Sequence, residues 1–155
     1  MILSGDSIRR RGVISPLYPR TKACGMTFGL GPAGYDVRID KTVILRPGGF
    51  ALAATMENFA MDRDVLGIVH DKSTWARRGL ALQNTVIEPG WRGWLTLELT
   101  NHGETTLTIE AGSPIAQIIF HVLDQPTSQP YDGRYQDQPP GAQAARLLTP
   151  TDENI

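Results

Sequence analysis

The chain has 155 residues and a mass of 17.0 kDa, which suits one compact domain with a core of its own. The formal net charge of -1 argues against a general nucleic-acid or membrane-surface binder, because those partners are usually met by a clear basic excess. A single cysteine, Cys24, allows no intrachain disulfide, and no apolar run could span a bilayer, so the sequence predicts a cytoplasmic protein without a nucleic-acid or membrane partner.

The N-terminal part of the chain contains one candidate helix and one clear strand. Ser4 can cap a short helix that runs into Arg9–Arg11, although a solvated basic turn is an open alternative. Residues 12–32 are dense in glycine and proline and lack periodicity, which predicts an irregular loop with at most one short strand. Residues 34–40 alternate between apolar and polar side chains, which is typical of a strand.

The remainder of the chain reads as short strands separated by turns. Strands are predicted over residues 42–45, 50–56, 66–69, 80–83, 94–100, 106–110 and 115–123. This pattern, with almost no helical periodicity, indicates an all-β barrel or a jelly-roll-like sandwich. Proline, glutamine and glycine dominate from Gln125 onward, so we expect a β domain over residues 1–124 and an extended tail over residues 125–155.

The stretch from Asp71 to Gly79 is the first candidate for a functional site. Asp71 or Ser73 can cap one helical turn that Gly79 closes, and this turn would direct Lys72, hydroxyl groups and Arg77 towards one point. Such a cluster could bind a triphosphate, but an ordinary capped turn with solvated cations explains the same residues. A Walker A loop is excluded because Asp71 stands where the glycine before the lysine is required.

Glu98 is the second candidate, since it lies between two leucines on a predicted strand. Burial would raise the pKa of its carboxyl group and suit it to transfer protons near neutral pH, whereas a glutamate on a solvent-facing strand surface is the open alternative. One cysteine and three scattered histidines cannot supply the ligands of a zinc nucleobase deaminase. The metal that remains is Mg²⁺ carried on the phosphates of a substrate, with no metal site in the protein itself.

Several motifs resemble the superfamily of dCTP deaminases and dUTPases, and its deaminase branch in particular. Lys72–Leu80 (KSTWARRGL) is similar to the branch's Arg-Ser-Ser-Leu-Ala-Arg-x-Gly signature, and Ile87–Gly93 (IEPGWRG) to its Ile-Asp-Pro-Gly-Trp/Phe-x-Gly corner. Leu97–Leu99 resembles its catalytic Leu-Glu strand. Further matches follow the same order along the chain: Met1–Ser4, Gly34–Arg38, Pro114–Phe120 and Pro130–Gln138.

This resemblance implies a homotrimer of distorted β-barrel or jelly-roll subunits of the dUTPase type. It places active sites at subunit interfaces and has the C-terminal tail close over the bound nucleotide. The reaction it implies is zinc-free hydrolysis of dCTP to dUTP and ammonia, with Glu98 as general base and acid and with Ser73 and Arg77 as the other catalytic residues. The substrate-binding residues that it implies are Lys72, Ser73, Thr74, Asn84, Thr85, Val86, Gln117, Tyr131, Arg134 and Gln138.

Three departures from the family pattern bear on the substrate. Lys72 stands where arginine is usual, and Glu88 stands where aspartate is usual. The loop over residues 83–86, which reads the pyrimidine in this family, is a residue or two shorter than in typical deaminases of the family. The whole chain is also shorter than a typical deaminase, as in compact viral or prophage members. The sequence therefore leaves open whether dCTP, a modified cytosine nucleotide or dUTP is preferred, and whether dTTP binds as an inhibitor.

Two other functions fit the same resemblance. One is a dUTPase-type pyrophosphatase, alone or combined with deamination, in which Glu88 would activate the water that attacks the α-phosphate. The other is a non-catalytic nucleotide sensor that keeps the triphosphate site without turnover.

Overall fold

The computed structural model describes residues 1–147. Its elements in chain order are α1 (Gly5–Arg11), β1 (Ile14–Ser15), β2 (Thr21–Ala23), β3 (Met26–Gly31), β4 (Gly34–Arg38), β5 (Val43–Leu45), β6 (Phe50–Ala60), β7 (Val65–Asp71), α2 (Ser73–Ala76), β8 (Leu80–Leu82), β9 (Val86–Ile87), β10 (Arg92–Asn101), β11 (Leu107–Ile109) and β12 (Pro114–Val122). Neither helix of this part of the chain is long and apolar enough to cross a membrane.

The strands form three sheets that share one core. The largest has the order β2-β3-β4-β12-β7-β9, the second has the order β1-β6-β10-β8, and β5 pairs with β11. Fully buried side chains from both larger sheets form a single apolar cluster, which includes Tyr35, Phe59, Leu97 and Phe120. The prediction of an all-β jelly-roll-like fold is confirmed.

Helix α1 begins as its sequence predicts. The Ser4 hydroxyl accepts a hydrogen bond from the Ser7 backbone N–H (3.3 Å), and Gly12 ends the helix in the left-handed conformation (φ 65°). Ile8 is the residue that α1 buries in the core. The alternative of a solvated turn is wrong.

The prediction for residues 12–32 is also wrong, because this segment contains β1, β2 and β3. Its glycines support strand packing rather than irregular structure. Cys24 and Gly25, both at positive φ, make the turn of the β2–β3 hairpin, and Gly29 lies so close to the Pro19 carbonyl that a Cβ atom would overlap it. This close approach packs the chain at Pro19 against β3, and the pattern of adjacent residues gives no sign of that contact.

The pair of β6 and β10 positions the candidate site. Strand β6 continues to Ala60, beyond its predicted end, and pairs antiparallel with β10 so that Leu52 lies opposite Glu98. On its other edge β10 pairs with β8 only over Leu99–Asn101. On this edge, the half of β10 before Leu99 is therefore available for hydrogen bonds to the loop after β8 and to the C-terminal segment.

Residues 125–147 contain no helix or strand, yet they are attached to the domain. The Trp91 indole N–H donates to the Tyr135 carbonyl (2.6 Å), and the Trp94 backbone N–H donates to the Gln138 carbonyl (3.1 Å). Gln138 is only 4% exposed. The described part of the predicted tail thus packs on β10, and residues 148–155 of that prediction lie outside the described residues.

Candidate active site

A cavity of about 560 Å³ opens beside β10. Glu98 lines it, together with five of the predicted substrate-binding residues: Asn84, Thr85, Val86, Tyr131 and Gln138. Apolar side chains, among them Phe50, Leu52 and Leu95, line much of the rest. An apolar cavity with a few polar groups is the usual form of a small-molecule site.

Glu98 is the carboxylate of this cavity that is suited to proton transfer. Its side chain is half-buried and faces the same side of the sheet as Leu52, and desolvation raises the pKa of the carboxyl group. Its carboxylate makes no ion pair with any residue of the described chain, 1–147. A carboxyl group with a raised pKa and free oxygens can accept and return a proton near neutral pH.

Asn84 is bonded to the strand that carries Glu98. Its Oδ1 accepts the backbone N–H of Glu98 (3.1 Å), and its Nδ2 donates to the carbonyl of Thr96 (2.7 Å). The sequence assigned Asn84 to the substrate. In the structure it lines the cavity while both ends of its carboxamide are engaged with β10.

Thr96 joins the C-terminal segment to the same strand. Its hydroxyl accepts hydrogen bonds from Gln138 Nε2 (2.7 Å) and from the Gln143 backbone N–H (3.0 Å). Gln138 Nε2 also donates to the Trp94 carbonyl (2.7 Å), so the amide hydrogens of Gln138 are used inside the chain. Tyr131 stands at the cavity wall, where its hydroxyl accepts the Tyr135 backbone N–H (3.2 Å).

The predicted capping of the central turn is wrong. Lys72 is the N-cap residue of α2 and no side chain caps the helix. Asp71 instead accepts the backbone N–H of Leu82 (2.8 Å), which ties the end of β7 to β8. Lys72 is buried and its Nζ lies 2.7 Å from Asp36 Oδ2, so its charge is already paired within the chain.

The other predicted residues of this stretch lie outside the cavity. Ser73, Thr74 and Arg77 are exposed on α2 and the turn after it, and none of them lines the cavity beside Glu98. Trp75 fixes their orientation, because its ring is buried and its indole N–H donates to the Pro114 carbonyl (2.8 Å). Gln117 and Arg134 are likewise absent from the cavity wall.

Polar residues outside the predicted substrate-binding set also line the cavity. Glu88 does so, as the pyrophosphatase alternative requires, and so do Thr96 and Gln143. Thr96 could be placed there from its position on the same strand face as Glu98, whereas nothing in the local sequence marks Gln143. Among residues 1–147 no group of three or more histidine, cysteine, aspartate or glutamate side chains is arranged to hold a metal ion.

Comparisons with known proteins agree on the relationship and the fold. The model of the family described as dCTP deaminase-like matches residues 34–123. The chain is 33% identical to the dCTP deaminase of Thermococcus sibiricus over 151 residues, which cover 88% of this chain and 92% of that protein.

Among solved structures the chain is similar to two phage dUTPases. The dUTPase of Staphylococcus bacteriophage 80alpha with bound dUpNHpp has a TM-score of 0.56 and 17% identity, covering 77% of this chain and 84% of that one. A mutant dUTPase from phage phi11 of S. aureus, described for its structural Mg(II) ion, has a TM-score of 0.57 and 16% identity, covering 77% and 92%. At these identities the likeness establishes the dUTPase-like fold. Because the family match spans more than half of the residues and the Thermococcus sibiricus relative aligns along most of both sequences, the chain belongs to the dCTP deaminase-like family.

Proposed function

We propose that this protein is a zinc-free dCTP deaminase that converts dCTP and water to dUTP and ammonia. The observation that carries the proposal is Glu98, a half-buried carboxylate with a raised pKa that lines a nucleotide-sized cavity without an ion-pair partner among residues 1–147. A general base for this reaction needs these properties, because it must accept a proton from water and then return it. The names of the relatives support the choice of dCTP as substrate.

In the proposed mechanism Glu98 takes a proton from water as the water oxygen bonds to C4 of cytosine and the C4–N3 double bond opens, and Glu98 passes this proton to N3. Glu98 then takes the proton of the new hydroxyl group and gives it to the 4-amino nitrogen, the bond between C4 and this nitrogen breaks, and ammonia leaves as the C4 carbonyl forms. Of the two protons of the water, one ends on N3 of the uracil ring and the other on ammonia. Proton transfer of this kind typically contributes about 10²- to 10⁴-fold to the rate.

We further propose that the active site is shared between subunits of a homotrimer. Ser73, Thr74 and Arg77 are exposed on α2 but do not line the cavity that contains Glu98. In the trimer, α2 of a neighbouring subunit would face the cavity, and Ser73 and Arg77 would orient the water and stabilise the charge that develops at C4.

Exposed apolar side chains on β6 support such an assembly. Phe50 is 59% exposed, Met56 is 40% exposed and Leu52 is 36% exposed, and Phe50 and Leu52 continue into the wall of the cavity. Neighbouring exposed apolar side chains commonly mark protein interfaces. Burial of this strip in a trimer would complete the desolvation of Glu98.

The triphosphate would be bound by exposed groups rather than by Lys72, whose charge is paired with Asp36. Thr74, Arg77 and Arg134 are exposed and can meet phosphate oxygens. Mg²⁺ would arrive bound to the phosphates of the nucleotide.

The C-terminal segment, which packs on β10 over its described residues 125–147, would cover the bound nucleotide. Tyr131, Tyr135 and Gln138 support this role, since they already line one side of the cavity. Thr85 and Val86, in the shortened loop at the cavity, would meet the base. A cytoplasmic location stays a prediction that rests on the single cysteine.

A second candidate function is cleavage of dUTP, or of the dUTP produced, to dUMP and pyrophosphate. The observation that favours it is Glu88, which lines the same cavity as Glu98 and occupies the corner motif. One cavity would then hold a carboxylate for each reaction.

The test is to incubate the purified protein with dCTP and Mg²⁺ and to resolve dUTP, dUMP, dCMP and ammonia over time, with Glu98→Gln as the matched inactive control. We expect ammonia and dUTP in equal amounts. Pyrophosphate together with dUMP would add the second activity, and loss of dUMP in Glu88→Gln would assign it. Release of dCMP, or unchanged dCTP, would overturn the proposal. Binding of dCTP, dUTP or dTTP without turnover would favour a nucleotide sensor.

A further inference from the structure

We propose that Asn84 is a positioning residue for Glu98, in which a side-chain amide replaces a missing strand partner. The proposal rests on the proposed function in one respect, namely that Glu98 performs the proton transfer. It assigns Asn84 to the strand, whereas the sequence assigned it to the substrate.

The need for such a residue follows from where β8 ends. The backbone pairing between β8 and β10 stops at Leu82, and the next bond, from the Gln83 N–H to the Glu98 carbonyl (2.9 Å), is the last one between the two backbones. In a strand the N–H and C=O of one residue point to the same edge. The N–H of Glu98 therefore points to the edge where β8 has already ended.

Asn84 satisfies this edge with its side chain. Its Oδ1 accepts the Glu98 N–H (3.1 Å), and its Nδ2 donates to the Thr96 carbonyl (2.7 Å). A carboxamide carries a carbonyl acceptor and an NH₂ group with two donors, so the one side chain can bond both polar groups and continue the ladder for one more step. The Glu98 backbone is thereby held at both of its polar groups, by Gln83 and by Asn84.

This arrangement fixes Glu98 without using its carboxylate. Because the backbone on either side of Glu98 is bonded, the carboxylate can stay free of internal partners and still have a defined position in the cavity. Defined placement matters, since a displacement of about 1 Å of a reacting group can cost about 10²-fold in rate. Asn84 thus acts on the reaction through the backbone of β10.

The experiment compares Asn84→Ala and Asn84→Asp with the control Thr100→Val. Asn84→Ala removes both hydrogen bonds, whereas Asn84→Asp keeps an acceptor for the Glu98 N–H and loses the donor to Thr96. Thr100→Val removes another contact between the same loop and strand, the Thr100 hydroxyl bond to Gln83 Oε1 (2.6 Å), and leaves Asn84 intact. The readouts are hydrogen exchange of the Glu98 amide and the kcat and KM for ammonia release from dCTP.

We expect Asn84→Ala to lower kcat by about tenfold or more and to change KM by less than about twofold. Exchange of the Glu98 amide should become faster by about tenfold in this variant. Asn84→Asp should keep the amide protected, and Thr100→Val should match the wild-type protein in both readouts. If Asn84→Ala does not fold, Asn84→Asp provides the test, because fast exchange of the Glu98 amide in a variant that retains the acceptor would overturn the proposal.

Two results would overturn the proposal. If Asn84→Ala raised KM at constant kcat, Asn84 would contact the substrate, and if the Glu98 amide exchanged equally fast in the wild type and in Asn84→Ala, the bond would not hold the strand. A wild-type protein that released no ammonia from dCTP would refute the proposed function instead. In that case the exchange measurement alone still decides whether Asn84 positions Glu98.

Discussion

Two inactive variants of this protein should restore each other's activity. In the structure Glu98 lines the cavity, whereas Arg77 is exposed on a different element and does not reach the cavity wall. If each active site combines Glu98 of one subunit with Arg77 of the next, then Glu98→Gln and Arg77→Ala damage opposite sides of every site. Alone, each should lose about 10²-fold or more in kcat.

The recovery can be calculated from the symmetry of a closed ring. In a mixed trimer that contains both variants, only one of the three interfaces joins an intact Glu98 to an intact Arg77, so about one third of wild-type activity should return. In a randomly assembled equal mixture the chance is one half for each side, and about one quarter of all sites should be active. A site within a single subunit would give no recovery at all.

The assay requires mixed oligomers of known composition. The two variants are coexpressed with different affinity tags, mixed trimers are isolated by sequential purification on both tags, and ammonia release from dCTP is measured with Mg²⁺. The control pairs Glu98→Gln with the double variant Glu98→Gln/Arg77→Ala, which offers no intact Glu98 and should stay inactive. Mixed trimers that form but are no more active than the separate variants would refute the shared site.

Three further predictions concern pH, the C-terminal segment and the core. Desolvation raises the pKa of Glu98, and a general base must be ionised, so kcat/KM should fall as the pH drops through a value above the ordinary glutamate range. Leu52→Asn, which admits water opposite Glu98, should shift this fall to lower pH. Gly93 has φ 143°, and a Cβ atom there would lie 2.7 Å from backbone atoms of Gln138 in the C-terminal segment. Gly93→Ala should therefore speed proteolytic removal of that segment and raise KM for dCTP. An unchanged cleavage pattern would contradict this. Glu57 is fully buried and paired with Arg38 (2.8 Å), so Glu57→Ala should lower the free energy of unfolding, measured in urea, by about 3–5 kcal/mol. If the unpaired charge of Arg38 is the cause, the double variant Glu57→Leu/Arg38→Met should recover most of this loss.

The sequence predicted those parts of the fold that depend on local patterns. The Ser4 cap and the alternation around Glu98 are both properties of adjacent residues, and both are found in the structure. The failure over residues 12–32 has a physical cause. The density of glycine and proline in this segment indicates a loop, but Gly29 is required within β3 because the Pro19 carbonyl packs against its backbone, and that contact arises only when the chain folds.

At the candidate site, too, adjacent residues predict the local features, whereas contacts between distant parts of the chain are not predicted. The motifs identified Lys72 as a cation near a helix start, but its partner Asp36 lies 36 residues earlier in the chain and pairs with it inside the domain. Gln138 binds Thr96 across 42 residues of sequence. Such pairings decide whether a polar side chain is available to a ligand, and residue spacing carries no information about them.

The residues that we propose for catalysis lie on two separate parts of the structure, and Glu98 and Arg77 have no ion-pair partner among residues 1–147. On one part, Asn84 and Gln83 hold the backbone of Glu98, and its carboxylate faces the cavity. On the other, the buried ring of Trp75 holds α2, and Arg77 is exposed at its end. An exposed guanidinium acts weakly on a distant reaction in water, and its effect increases when a low-dielectric interface encloses it. Bringing the two parts together at a subunit interface would supply that enclosure, so the catalytic rate of this protein should depend on its assembly as directly as on Glu98 itself.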